Sequence, residues 1–141
     1  MNGKIVRLLI ADDADVIRKA IRQVLTAQPG IELLGEAKNF AETLKRTATL
    51  KPDVVVFDIH MPGEREFSPE VIKVHLLSSA KHLLAMSLWN DEASKAVAQS
   101  YGASTLLDKS TLASELVPTI LNCFRTAPQI VNRLRLPTVQ Y

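Results

Sequence analysis

A chain of 141 residues, 47% of them hydrophobic, has the apolar material for one domain with a buried core and at most a short tail besides. Its 17 Lys and Arg against 15 Asp and Glu leave a formal net charge of +2, too even a balance for the clustered basic surface that direct nucleic-acid binding needs. No apolar run is long enough to span a bilayer, and residues 1–4 lead into a strand-like run without the pattern of a signal peptide. The single Cys123 lies in an apolar stretch and cannot form an internal disulfide, so a soluble cytoplasmic domain with a reduced, buried cysteine is expected.

Residues 5–11 are rich in branched side chains and end at Asp12-Asp13, the pattern of a strand. From Asp15, which suits an N-cap, the period changes: Val16, Ile17, Ala20, Ile21, Val24 and Leu25 share one helical face, and Pro29-Gly30 stop it. A second strand over 31–37 precedes a polar helix over 40–50. After Pro52, residues 53–58 read Asp-Val-Val-Val-Phe-Asp, and consecutive apolar residues without alternation predict a strand covered on both faces. A loop with Met61-Pro62-Gly63 leads to Ser68-Pro69-Glu70, an N-cap, a first-turn proline and an early acid. They open a helix carrying Val71, Ile72, Val74, His75, Leu76 and Leu77. A fourth strand spans 81–87, Asn90-Asp91-Glu92 open an Ala-rich helix that ends near Tyr101-Gly102, and a fifth strand spans 103–107. The last helix runs from about 111 to 125 with Leu112, Leu116, Ile120, Leu121 and Phe124 inward, and Pro118 predicts a kink or a late start.

Strand and helix alternate with short connections, and right-handed crossovers then give an α/β fold: a doubly wound five-stranded parallel sheet with helices on both faces. Residues 1–125 form the domain. Residues 126–141, with Ile130, Val131 and Leu134 at helical spacing, form a short tail: an extension of the last helix, a linker, a strip packed on the domain or a dimer contact.

Ligands of such sheets bind beyond the carboxyl ends of the strands, where the strand order reverses. With the flavodoxin-like order 2-1-3-4-5 that crevice lies between the first and third strands, so Asp12, Asp13 and Asp58 converge on it. Three carboxylates repel one another unless a proton or cation neutralises them, and Mg2+ (or Mn2+) is the simplest occupant. Ser87 ends the fourth strand and Lys109 follows the fifth at the same edge. A carboxylate nucleophile, a metal, a cation and a hydroxyl are the parts that phosphoryl transfer needs. Taken singly each has an ordinary reading: Asp12-Asp13 a cap, Asp58 a strand end, Lys109 a surface lysine, Ser87 a satisfied hydroxyl. Their joint order along the chain separates the two readings.

From its start to about residue 125 the chain resembles a response-regulator receiver domain of two-component signalling, on Asp12-Asp13, Asp58 followed by Met61-Pro62-Gly63, Ser87, Gly102-Ala103 and Lys109. The resemblance implies a phosphoryl group accepted on Asp58 from a histidine kinase or a histidine phosphotransfer protein. It implies Mg2+ held by Asp13, Asp58 and the backbone carbonyl of His60, with Asp12 acting through water. Ser87 would then move inward and the surface around the fourth helix, fifth strand and fifth helix would change. A homodimer is left open. The protein would supply its own catalytic site and have no turnover on another molecule.

Three positions depart from the family pattern, and two more bear on hydrolysis. Leu106 stands where Tyr or Phe is common, so an aromatic rotamer flip is not available. Leu88 replaces the usual Ala or Gly after Ser87 and would narrow access to Asp58. Ser110 replaces a frequent proline, removing the usual reason for a cis peptide. His60 and Trp89, both large, occupy positions that in the family modulate hydrolysis, which predicts slow dephosphorylation. Leu88 and Leu106 favour the alternative of a pseudo-receiver that signals by contact alone. A further alternative is cobalamin binding through the Asp58-x-His60-x-x-Gly63 pattern, although that motif usually follows a first strand and is joined by a later glycine pair, absent here. A flavin site is excluded, because the first strand leads into Asp-Asp rather than a Ser/Thr-rich phosphate loop.

Overall fold

The computed structural model describes the backbone of residues 4–135 and the side chains of residues 4–124. Five parallel strands, β1 (Val6–Ala11), β2 (Ile31–Ala37), β3 (Val54–Asp58), β4 (His82–Ser87) and β5 (Thr105–Asp108), pair in the order β2-β1-β3-β4-β5. Helices α1 (Asp15–Thr26) and α5 (Leu112–Arg135) cover one face; α2 (Phe40–Leu50), α3 (Pro69–Leu77) and α4 (Glu92–Ser100) cover the other.

The unbroken apolar run of β3 follows from its place at the centre of the sheet, where Val54, Val55, Val56 and Phe57 are wholly buried. Alternate residues feed two cores: Val55 and Phe57 meet Phe40, Ile72, Leu76 and Tyr101, whereas Val54 and Val56 meet Ile21, Leu25, Leu116 and Ile120. Burying each such side chain stabilises the fold by ~1.5–3 kcal/mol. In the register, Ala11 lies opposite Phe57, Asp58 opposite Met86 and Ser87 opposite Asp108, which lines up the carboxyl ends of four strands.

Three helices start as their sequences predict. Asn39, Ser68 and Asp91 accept hydrogen bonds from the backbone N–H groups of Glu42, Val71 and Ser94. Gly102, at φ +90, ends the segment after α4; a Cβ there would lie 2.9 Å from Lys73 Cγ.

Several expectations are corrected. The N-cap of α1 is Ala14, with no side-chain bond, and Asp15 is the first helical residue. Val16 and Ala20 face solvent, while Arg18 is buried beside Ile21 and Leu25. Val71, Val74 and Leu77 of α3 are exposed, leaving only Ile72 and Leu76 to anchor it. β5 begins at Thr105 rather than residue 103. A 3-10 turn (Lys109–Thr111) precedes α5, so Pro118 lies well inside that helix and does not mark a late start. It sits on the exposed side, where the Ser114 carbonyl that loses its donor can reach water. Cys123 is half-buried, with Sγ donating to Thr119 O at 3.5 Å. The backbone of α5 continues into the tail, but the packing expected of Ile130, Val131 and Leu134 lies outside the described side chains. Among the described residues no helix is long and apolar enough to cross a membrane.

Candidate functional site

Strand geometry brings the acidic residues together. β1 ends at Ala11, so Asp12 and Asp13 follow directly, and β3 beside it ends on Asp58. Oxygens of Asp12, Asp13 and Asp58 lie within 4.8 Å of one another. Asp12 is 0% and Asp58 4% exposed, whereas Asp13 stands open on the rim. The cation is Lys109: its Nζ is 2.7 Å from Asp12 Oδ2 and 3.0 Å from Asp58 Oδ2. Asp58 Oδ1 accepts the His60 N–H at 3.0 Å, and Asp12 Oδ1 accepts the Ala14 N–H at 2.9 Å.

Burial pushes the Asp58 carboxyl above the usual carboxylate range; the His60 N–H and Lys109 oppose this, and Asp12 adds to it. Burial acts to lower the Lys109 pKa, but the contacts with Asp12 and Asp58 outweigh it and raise it overall. Three carboxylates against one ammonium leave two negative charges in excess, the charge of one divalent cation. Asp12 Oδ2 is wholly buried, with the Lys109 ammonium, 2.7 Å away, as its cationic partner. An all-oxygen donor set whose negative charge exceeds that of its one ammonium fits a hard cation such as Mg2+ or Mn2+.

The remaining predicted residues surround this cluster. Ser87 is 1% exposed at the end of β4, and its Oγ accepts the Trp89 N–H at 3.0 Å. Leu88 and Trp89 project outward, 62% and 59% exposed, so Leu88 is a rim residue. The half-exposed His60 ring stands edge-on to Trp89, centroids 6.3 Å apart, with Nδ1 3.6 Å from the Glu64 carboxylate. A crevice of about 520 Å3 opens above, lined by Asp13, by His60 to Gly63 and by Glu64 to Glu66. Leu106 is half-buried against the aromatic core and lines a groove of about 190 Å3 with Lys95, Ala98 and Gln99. Among the described residues no peptide is cis, including that between Lys109 and Ser110.

Reasoning from sequence missed Arg18. It is 6% exposed, and its Nη1 donates to the backbone carbonyl of Asp12 at 2.7 Å. The spacing 18, 21, 25 is itself a helical stripe that could have revealed it, since Ile21 and Leu25 are core residues.

The model of the response regulator receiver domain matches residues 8–121. The response regulator GacA of Pseudomonas viridiflava is 28% identical over 141 residues, covering 96% of this chain and 64% of the relative. A protein-glutamate methylesterase/protein-glutamine glutaminase of Myxococcus xanthus is 35% identical over 113 residues, covering 78% of this chain and 32% of the relative. The chain thus spans less than two thirds of these relatives. Among solved structures, the receiver domain of the NarL regulator from Mycobacterium tuberculosis superposes with TM-score 0.75 at 25% identity, covering 86% of this chain and 97% of that one. The response regulator domain of Thermotoga maritima CheB gives 0.72 at 25% identity, with 84% and 96% covered. The matched span takes in nearly the whole sheet and every residue of the carboxylate cluster, and the chain belongs to the response regulator receiver domain family.

Proposed function

We propose that the chain is a phospho-acceptor that takes one phosphoryl group on Asp58 from a phosphohistidine of a histidine kinase or histidine phosphotransfer protein in the cytoplasm. The observation that carries this is the pairing of two buried carboxylates, Asp12 and Asp58, with a single ammonium, while Asp13 lies open beside them. A structural ion pair needs one acid per base; this cluster holds an excess of acid at the end of the sheet where ligands bind.

Asp13, Asp58 and the His60 carbonyl would hold Mg2+, with Asp12 acting through water. Bound there, the cation neutralises charge on the phosphoryl oxygens and on the acids. Asp58 attacks phosphorus in line, the bond from phosphorus to the donor nitrogen breaks, and an aspartyl phosphate results. Lys109 is already 3.0 Å from Asp58 Oδ2 and needs only a small shift to pair with a phosphoryl oxygen. Ser87, buried at the next strand end, supplies a hydroxyl to another oxygen and carries the change to the surface formed by α4, β5 and α5. With Leu106 in place of an aromatic residue, that change proceeds without an aromatic flip. His60 and Trp89 frame the approach of water, so hydrolysis is slow; a phosphoryl half-life of seconds in the purified protein would refute this. The chain is a stoichiometric acceptor, without turnover on a second substrate.

Intact mass after incubation with acetyl phosphate and Mg2+ tests the reading. One phosphoryl adduct, requiring both Mg2+ and Asp58, is expected. No adduct would favour the pseudo-receiver, signalling by protein contact alone.

A further inference from the structure

α1 begins in an unusual way. Its N-cap, Ala14, has no side chain with which to cap, and the Asp15 carboxylate turns to Arg18. Yet this junction must hold Asp12 and Asp13 in fixed directions, because both belong to the acidic cluster. Two groups instead hold the backbone just ahead of the helix. Asp12 Oδ1 takes the Ala14 N–H, and the Arg18 guanidinium closes on the backbone from the other side.

Arg18 uses its whole fork. Nη1 donates to Asp12 O at 2.7 Å, Nε to Glu36 Oε1 at 2.9 Å, and Nη2 to the Asp15 carboxylate. Glu36, near the end of β2, is clamped in turn by Arg22 Nη1, which donates to both of its oxygens at 2.7 Å. The Asp12 N–H donates to Ala37 O at 3.0 Å, so the peptide groups on both sides of Asp12 are tied to β2 or to Arg18. Arg18 and Arg22 face Asp15 and Glu36, a set with no net charge.

We infer that Arg18 is a positioning residue of the metal site: by gripping the Asp12 carbonyl against Glu36 it fixes the turn that aims Asp12 and Asp13. This rests on the reading that a divalent cation binds at Asp13 and Asp58. Mg2+ tolerates little departure from octahedral geometry, so a ligand displaced by a fraction of an ångström is felt in affinity. Groups that orient metal ligands are typically worth 10–100-fold in affinity.

The sign of the effect separates positioning from charge. Arg18 is a buried cation next to the cluster, so on electrostatic grounds alone Arg18→Met would tighten Mg2+ binding. Positioning demands the reverse. Arg18→Lys keeps the charge but replaces a planar three-way fork with a point donor, so it too should weaken binding.

Magnesium titrations of the full chain, followed by Trp89 fluorescence at neutral pH, test this, beside melting curves of the metal-free proteins. Both Arg18 variants are expected to raise the Mg2+ Kd by roughly 10-fold. If Arg18→Met fails to fold, Glu36→Gln, which leaves Arg18 in place without its charged anchor, should raise Kd by a smaller factor. A lowered Tm with Kd unchanged would overturn the inference and make Arg18 merely structural. Tighter binding by Arg18→Met, with Arg18→Lys like the parent, would overturn it in favour of charge alone. No Mg2+ response in the parent protein would remove the underlying reading and this inference together.

Discussion

Asp53 and Asp58 stand at opposite ends of β3, and the fold treats them differently. Asp53, just before the strand, accepts the Arg7 N–H at 2.8 Å on Oδ2 and has Lys81 Nζ 3.4 Å from Oδ1. Its own backbone ties β1 to β3 and β4: N–H to Arg7 O at 2.8 Å, and carbonyl to the N–H groups of Lys81 and His82 at 3.1 and 3.0 Å. One acid meets one base, and every contact serves the sheet. Asp58, at the other end, shares one ammonium with Asp12 and lies beside Asp13, so its surroundings leave it under-neutralised. The same residue type reads as structure where its charge is matched and as chemistry where it is not.

The largest expected difference between the two is in phosphoryl acceptance. Asp58→Asn should abolish the adduct with acetyl phosphate and Mg2+, whereas Asp53→Asn should keep it; intact mass reads both. An adduct surviving on Asp58→Asn would move the acceptor elsewhere.

Stability should show the opposite ranking. Asp53→Ala leaves the Arg7 N–H without its acceptor and should cost about 1–3 kcal/mol in urea unfolding. Phosphoryl uptake per folded molecule should be unchanged. A neutral outcome would mean that Asp53 is not the tie between strands that its contacts describe.

The smallest effect concerns metal-free stability. The Asp58 pKa is raised in the folded state, chiefly by burial, so the folded protein binds more protons than the unfolded chain between the two pKa values. Stability therefore falls as pH rises through the folded value, and Asp58 is a burden at neutral pH. Asp58→Asn should raise Tm modestly at neutral pH. The gain should shrink as pH is lowered through the raised pKa. A gain that grows toward acid would reverse the assigned direction.

Much of this arrangement was legible along the chain. The strand over 31–37, the helix over 40–50 and the caps Ser68 and Asp91 stand where pattern and turn chemistry put them, because each depends on residues close in sequence. The acids and Lys109 could be assigned to one edge because a parallel sheet sends every strand's carboxyl end the same way. What was missed depends on contacts across the fold. Asp15 suits a cap by residue type, but its carboxylate pairs with Arg18, which Glu36 of β2 also holds. Val16 fits the apolar stripe of α1 yet is 72% exposed, because Arg18 takes the inward place beside the acidic cluster. The bulk of Leu88 predicts a narrowed approach to Asp58, but the side chain is 62% exposed after β4. The stripe of Arg18, Ile21 and Leu25 marks Arg18 as inward-facing, but nothing near it in sequence shows that the Asp12 carbonyl receives it.

The most direct test of the central claim is a Mg2+ titration read by Trp89, the only tryptophan, whose ring stands beside His60. Run in parallel on the parent protein, Asp13→Asn and Asp53→Asn, it should give a saturable response in the parent, loss or strong weakening in Asp13→Asn, and an unchanged midpoint in Asp53→Asn. No saturable response in the parent, or one that survives Asp13→Asn intact, would contradict the claim that the unmatched carboxylates at the end of β1 and β3 form a divalent-cation site.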